Sequence, residues 1–194
     1  MKNENIYLGI DIGGTAIKIG VINDDLEILC RSETPVDRSG GEPVMETVYR
    51  AAEAILKEAS IEAGSLAGIG VSAAGCVEKD SGTIAQNGGN VPGWSFTEVT
   101  KPLSERFGGT ASLVNDGNAV ALAESVIGAA KGSNDVLCIV IGTGIGGGII
   151  SGGIDMMETQ LIAERAYNMF IGGEAEHKAD FAEFEVLDEE RTEE

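Results

Sequence analysis

The sequence predicts an α/β protein with a mixed β-sheet flanked by helices. Short runs of β-branched residues alternate with alanine-rich segments of helical spacing, and glycine-rich turns separate them. With 194 residues, of which 43% are hydrophobic, the chain is long enough to bury one sizeable core. Ligands of α/β sheets collect at the carboxyl ends of strands, so the residues that follow each strand are the first candidates for a site.

The first two predicted strands form a hairpin over residues 8–22. Runs of β-branched residues lie on both sides of a Gly13-Gly14-Thr15 turn. The glycines let backbone N–H groups approach an anion closely, Thr15 adds a hydroxyl donor, and Asp11 at the strand end can hold a hydrated Mg²⁺. The turn is therefore a candidate phosphate-binding turn, and the alternative is an ordinary hairpin.

The middle of the chain contains further predicted elements and one loop. A strand, a helix, a buried strand and a second helix are predicted over residues 26–32, 44–59, 66–71 and 96–107. Residues 76–94 show little regular pattern. The glycine-rich part of this stretch, which includes Asn90 and Trp94, can contact a polar ligand with an apolar face, as sugars have. The alternative is a surface loop pinned by Trp94.

An apolar run over 111–114 ends in Asn115-Asp116 and continues into an alanine-rich helix. We expect Asn118 to cap this helix, which places Asp116 at a strand-to-helix corner. A carboxylate at such a corner can accept a hydroxyl proton, which is the task of a kinase base toward its alcohol. The alternative is that these residues only form a turn.

The most hydrophobic predicted strand, over residues 136–141, continues into a glycine-rich stretch over 142–148. The glycine spacing matches a dinucleotide-binding pattern, but that pattern requires a helix to begin at the glycines. The following residues are typical of a strand and a turn instead. We therefore predict a second glycine hairpin, in which Thr143 is placed much as Thr15 is in the first.

Net charge and cysteine content limit the function classes. The formal charge of −19 disfavours nucleic acid and membrane surfaces as partners. Any phosphate site must therefore work through backbone dipoles, Lys18 and a metal ion. The sequence has no leader peptide and no apolar run long enough for a membrane span, which predicts a cytoplasmic protein. Cys30, Cys76 and Cys138 lack metal-ligand spacing and are predicted to be buried free thiols in a reducing compartment.

Three short motifs occur in order along the first 150 residues. They are Asp11-x-Gly-Gly-Thr15, Asn115-Asp116-x-Asn118-Ala119 and Gly142-Thr143-Gly144-x-Gly146-Gly147. In this order and at these separations, they resemble the ROK family of sugar kinases and sugar-responsive repressors, and the likeness covers about residues 6–150. The resemblance implies an actin-like ATPase (ribonuclease H-like) fold, in which two α/β lobes close over a nucleotide and a sugar.

The resemblance also implies roles for individual residues, with ATP and Mg²⁺ as cofactors. Asp11 would position Mg²⁺ through water, and Asp116 would be the catalytic base. The residues that would bind ATP and Mg²⁺ are Asp11, Gly13, Gly14, Thr15, Lys18, Gly142, Thr143 and Gly144. Those that would bind the sugar are Asn90, Asn115, Asp116, Glu174 and His177.

Beyond Ile150 the likeness weakens. Glu174 and His177 have the spacing of the family's Gly-Glu-x-Gly-His segment, but Glu176 occupies the glycine position. No cysteine follows His177, so no zinc site of the family type is expected. The predicted organisation is an N-terminal lobe over 1–133, the start of a truncated or rebuilt second lobe over 134–177, and an acidic tail over 178–194.

The leading functional hypothesis is an ATP-dependent, glucokinase-like sugar kinase that phosphorylates a hexose hydroxyl with Asp116 as base. The repressor branch of the family is disfavoured because only ten residues precede Asp11 and because the net charge opposes DNA binding. The alternative hypothesis is a non-catalytic lobe that binds sugar or a protein partner without turnover. The expected partners are a hexose and a nucleotide, and self-association into a homo-oligomer is left open.

Overall fold

The structure is a computed structural model that describes residues 5–86, 93–141 and 145–150. Its elements in chain order are β1 (Ile6–Ile12), β2 (Ala16–Asn23), β3 (Ile28–Pro35), α1 (Gly41–Glu58), β4 (Gly68–Ala73), β5 (Cys76–Glu78), β6 (Thr83–Gln86), α2 (Thr100–Phe107), β7 (Thr110–Asn115), α3 (Asp116–Val126), β8 (Val136–Ile141) and β9 (Ile145–Ile150). None of the helices described is both long and apolar enough to cross a membrane.

The main sheet has five strands in the order β3-β2-β1-β4-β7. The pairs β1–β2 and β2–β3 are antiparallel, whereas β1–β4 and β4–β7 are parallel. The sheet is therefore mixed, as predicted. Because β1, β4 and β7 run in the same direction, their carboxyl ends meet at one edge of the sheet, and this edge carries the site described below.

The core lies between the sheet and its helices, with α1 packed on β2 and β3, and α2 on β7 and β4. Side chains alternate along a strand, so Leu8, Ile10 and Ile12 of β1 enter this core, whereas Asp11 belongs to the opposite face. On α1, apolar side chains at three- and four-residue spacing are buried: Val44, Val48, Ala51, Ala52 and Ile55. The helix begins at Gly41, earlier than predicted, with Pro43 in the first turn, where its missing N–H costs no hydrogen bond.

The predicted starts of β3 and α2 are wrong. Leu26 has a φ of 64° and Phe96 a φ of 66°, both in the left-handed region. A strand does not accommodate such a residue, so β3 begins at Ile28. After Phe96, the backbone of residues 96–99 makes hydrogen bonds with Gly82 and Ile84 instead of continuing as a helix, so α2 begins at Thr100.

Residues 76–94, in which the sequence shows little regular pattern, contain a short hairpin of β5 and β6. Strands of three and four residues are too short for their alternation to be recognised from sequence. Cys76 is exposed on β5, so its predicted burial is wrong, whereas Cys138 is buried and Cys30 is partly buried. All three thiols are free.

The second glycine hairpin is confirmed as strand followed by strand. β8 and β9 pair antiparallel as a separate two-stranded sheet, and both contact α3. The inner side chains Val136 and Cys138 are buried. The boundaries proposed for the lobes stay predictions, because residues 151–194 lie outside the described part of the chain.

Candidate active site

Asp11 lies near the carboxyl end of β1, between two strands that carry polar partners for it. In the ladders it pairs with Lys18 of β2 and with Ser72 of β4. The Ser72 hydroxyl donates a hydrogen bond to Oδ1 of Asp11, at 2.5 Å. Burial raises the pKa of Asp11, the Ser72 hydroxyl and the Lys18 ammonium lower it, and the nearby charge of Asp116 raises it. The two carboxylates are therefore close enough to influence one another.

The predicted phosphate-binding turn follows β1 directly. The N–H of Gly13 donates to the carbonyl oxygen of Ala16 at 3.0 Å and closes the turn, so it is not available to an anion. Within the described residues, the N–H groups of Gly14 and Thr15 donate to no acceptor. Both residues are exposed, and a Cβ added to Gly14 would meet nothing within 4 Å. The turn thus presents two N–H donors beside open space and beside Asp11.

The strand-to-helix corner is held by Asn115, the last residue of β7. Its Oδ1 accepts hydrogen bonds from the N–H groups of Gly117 and Asn118, at 3.0 and 3.4 Å, which makes Asn115 the N-cap of α3. The expectation that Asn118 caps the helix is therefore wrong, because the helix begins before it. Nδ2 of Asn115 donates to the carbonyl oxygen of Gly75 at 2.8 Å. One side chain thus ties the start of α3 to the turn that follows β4.

Asp116 is the first residue of α3, and it is exposed at the same sheet edge as Asp11. Its Oδ1 accepts a hydrogen bond from the N–H of Gly117 at 2.9 Å. The carboxylate is therefore oriented by the backbone while remaining accessible to a ligand. This arrangement is one that a general base requires.

A cleft of about 310 Å³ opens at the start of α3. Its lining residues come from the β4–β5 turn, from β5 and the turn after it, and from the start of α3: Gly75, Cys76, Val77, Lys79, Asn115 and Asn118. Lys79 and Val77 could not be identified from the sequence, because they lie in residues 76–94, which show little regular pattern. Ser72 and Gly75 come directly after the buried strand predicted over 66–71, and this position was the signal available for them.

The β8–β9 hairpin approaches the same corner through backbone contact. A Cβ on Gly117 would overlap the carbonyl oxygen of Gly147, and a Cβ on Gly148 would lie 2.5 Å from the carbonyl oxygen of Gly117. Glycine is required on both sides of this contact, since no side chain fits between helix and strand. The residues that join β8 to β9, 142–144, are outside the described chain.

The structure therefore brings together part of the predicted site. Asp11, Lys18, the turn 13–15, Asn115 and Asp116 gather at one sheet edge. The predicted residues that lie outside the described part of the chain are Asn90, Gly142, Thr143, Gly144, Glu174 and His177. Among the residues described, no three His, Cys, Asp or Glu side chains group as a metal site.

Comparisons with known proteins agree on one family. The model of the ROK family matches residues 7–157. An uncharacterized protein of Clostridium perfringens is 36% identical over 183 residues, which are 94% of this chain and 60% of that protein. The glucokinase of Thermotoga maritima is 33% identical over 147 residues, which are 75% of this chain and 44% of that protein.

A solved structure leads to the same fold. The ROK family glucokinase from Streptomyces griseus, in complex with glucose and AMPPNP, matches with a TM-score of 0.66 and 29% identity, over 77% of this chain and 46% of that one. The chain thus spans 44% to 60% of the length of these relatives. The actin-like ATPase fold of the ROK sugar kinases confirms the predicted fold class. The matched region includes the five-stranded sheet, Asp11 and Asp116, and the chain belongs to the ROK family.

Proposed function

We propose that this chain provides the ATP and sugar sites of a ROK-type kinase that transfers the γ-phosphoryl group of ATP to a hexose hydroxyl. One observation carries the proposal: Asp11 and Asp116 lie at the same sheet edge in two different settings. Asp11 is partly buried beside a turn with free N–H donors, whereas Asp116 is exposed beside a cleft. The first setting suits a metal-bound phosphate, and the second suits a reacting hydroxyl.

The residues on the Asp11 side fit a Mg²⁺–ATP complex. Mg²⁺ is bound through oxygen ligands and keeps most of its waters, so a single carboxylate that accepts hydrogen bonds from bound water is sufficient here. The N–H groups of Gly14 and Thr15 would donate hydrogen bonds to phosphate oxygens, and Lys18 would add a positive charge nearby. Gly13 acts by closing the turn. A bound Mg²⁺ would neutralise part of the phosphate charge during transfer.

The opposite side of the nucleotide is assigned to the second glycine hairpin. Gly142, Thr143 and Gly144 follow β8, and the hairpin packs against the helix that begins with Asp116. Their proposed role rests on the family resemblance and on this packing of the hairpin. The ATP assignment is also supported by the AMPPNP bound to the S. griseus relative.

Asp116 is assigned the role of base toward the sugar. Its carboxylate would accept the proton of the attacking hydroxyl, and the N–H of Gly117 holds the carboxylate in place. Asn115 orients this corner and retains the second hydrogen of Nδ2 for a sugar hydroxyl. Asn90, Glu174 and His177 stay proposed sugar ligands on the family resemblance.

The relatives indicate which sugars to test. Those compared include glucokinases, a β-glucoside kinase from Listeria monocytogenes and an N-acetyl-D-glucosamine kinase from Photobacterium profundum. We propose a glucose-like hexose as substrate and the cytoplasm as location, in keeping with three free thiols. A nucleic acid or membrane partner is not proposed, and homo-oligomerisation stays open. A lobe without turnover is not favoured, since both carboxylates are in place.

The test is a direct assay of phosphoryl transfer by the purified 194-residue chain. ADP release is followed with Mg²⁺–ATP and each of a panel of hexoses, and the sugar phosphate is identified by mass spectrometry. We expect ADP release that requires both sugar and Mg²⁺, with a stoichiometric sugar phosphate. ATP binding without any sugar-dependent ADP release would contradict the kinase proposal and favour a binding lobe.

A further inference from the structure

Ser72 is a polar residue buried on β4. Its exposed fraction is 6%, and the other residues of the strand are glycine, alanine, isoleucine and valine. A hydroxyl removed from water is unfavourable unless it makes a hydrogen bond, and the partner of Ser72 is Oδ1 of Asp11. Alanine would fill this strand position without that requirement. The hydroxyl therefore has a specific partner, and that partner is the carboxylate on the phosphate side of the site.

The sheet fixes the position of Ser72 from both sides. β4 lies between β1 and β7, and Ser72 pairs with Asp11 on one side and with Val114 on the other. The next residue of β4, Ala73, pairs with Asn115, which caps the helix of Asp116. Because a central strand that is hydrogen-bonded on both edges moves little, the Ser72 hydroxyl holds a fixed position between Asp11 and the corner that carries Asp116.

The hydrogen bond also makes the two oxygens of the Asp11 carboxylate different from one another. Oδ1 is occupied by the Ser72 hydroxyl, whereas Oδ2 makes no hydrogen bond with the residues that the structure describes. A carboxylate held at one oxygen has lost its rotational freedom, and it presents the other oxygen in one direction. Such partners orient groups that contact a metal or its water.

We propose that Ser72 is a positioning residue for Mg²⁺–ATP, which holds the Asp11 carboxylate so that Oδ2 accepts a hydrogen bond from metal-bound water. The inference rests on the proposed role of Asp11 in binding Mg²⁺–ATP and extends it to a residue with no contact to the ligand. It concerns binding, so it can be tested separately from catalysis.

The test compares ATP binding by calorimetry across a range of Mg²⁺ concentrations. For Ser72→Ala we expect Mg²⁺-dependent ATP affinity to fall about 10- to 100-fold, as is usual when a residue that orients a metal-binding group is removed. ATP affinity in EDTA should stay at the wild-type value, because the phosphate-binding N–H groups are untouched. Ser72→Thr retains the hydroxyl in a residue suited to a strand, and it should retain the Mg²⁺ dependence.

Ser125→Ala is the matched control. Ser125 is also a buried serine with one hydrogen bond, from its hydroxyl to the carbonyl oxygen of Leu122 at 2.6 Å, and it lies in the second half of α3. Both alanine variants should lose similar thermal stability, but only Ser72→Ala should lose Mg²⁺-dependent affinity.

Wild-type Mg²⁺ dependence in Ser72→Ala would overturn the assignment, and so would a folded Ser72→Thr variant as weak as the alanine variant. A wild-type chain that binds ATP without any Mg²⁺ dependence would overturn it as well. These outcomes are independent of whether sugar is phosphorylated. Failure of the kinase proposal would instead appear as normal Mg²⁺–ATP binding without sugar-dependent ADP release.

Discussion

Gly148 of β9 and Gly117 of α3 contact one another through their backbones, and a Cβ on Gly148 would lie 2.5 Å from the carbonyl oxygen of Gly117. This contact joins the second glycine hairpin to the helix that begins with Asp116. A side chain between them would separate the hairpin from the proposed catalytic base. Both positions therefore require glycine, although neither residue has a side chain that could take part in a reaction.

Gly148→Ala should destabilise the protein, because its methyl group has no space beside the helix. Overpacking of this kind typically costs about 1–3 kcal/mol in the free energy of unfolding, which urea titration followed by circular dichroism would detect. Gly14→Ala is the matched control, since the same methyl group there meets open space. Equal stability of the two variants would show that β9 does not pack on α3 as described.

Gly14→Val tests the phosphate-binding turn. The added side chain occupies space that is open in the structure, so the fold should be retained while a phosphate is excluded. We expect Mg²⁺–ATP binding to be lost in calorimetry while the circular dichroism spectrum stays close to that of the wild type. An ATP affinity equal to the wild-type value would remove the turn from the nucleotide site.

Asp11→Asn tests the electrostatic cost of the site. Burial raises the pKa of Asp11 above its ordinary value of 3.8, so the folded state binds this proton more tightly than the unfolded state. The contribution of Asp11 to stability is therefore present below 3.8 and is lost as pH rises through the raised pKa. Asparagine does not ionise, so Asp11→Asn does not lose this stability as pH rises. The variant should therefore melt at a higher temperature than the wild type at pH 7, but not at pH 3.

Melting curves of both proteins between pH 3 and pH 7 check this prediction. Mg²⁺–ATP binding by Asp11→Asn should be weakened at the same time, because the charge that attracts the metal is gone. A wild-type protein more stable than Asp11→Asn at pH 7 would show that Lys18 and Ser72 outweigh the burial of the carboxylate.

Asn115→Ala tests the corner that carries Asp116. Loss of an N-cap costs about 0.5–2 kcal/mol in unfolding free energy, and here the bond to Gly75 is lost as well. Asn118→Ala is the control, because the exposed Asn118 receives the cap through its N–H and does not provide it. If both variants unfold at the same urea concentration, the assignment of the cap to Asn115 is wrong.

The helices and strands with long apolar patterns could be predicted from the sequence, whereas boundaries that depend on local backbone structure could not. β1 and β8 are runs of mostly apolar residues, and α1 has apolar residues at helical spacing, so their type could be read directly. The start of α2 could not, because residues 96–99 make backbone hydrogen bonds with Gly82 and Ile84, and such distant partners are not visible in the sequence.

The candidate site was predictable where residues carry chemistry in their own side chains. Asp11 and Asp116 were identifiable as carboxylates at strand ends, and the structure brings them to one edge. The roles of Ser72 and Gly13 were not identifiable, because one depends on the pairing of β4 with β1 and the other on a turn hydrogen bond. Neither partner is visible in a linear sequence.

The most direct test of the central claim is the sugar-dependent ATP turnover of Asp116→Asn. Asparagine keeps the shape of the side chain and an oxygen for the N–H of Gly117, but it cannot accept the proton of a hydroxyl. General-base assistance typically contributes about 10²- to 10⁴-fold in rate, so turnover should fall by about that factor while hexose affinity and melting temperature change little. Turnover at the wild-type rate would contradict the account, because Asp116 would then be no more than the first residue of a helix.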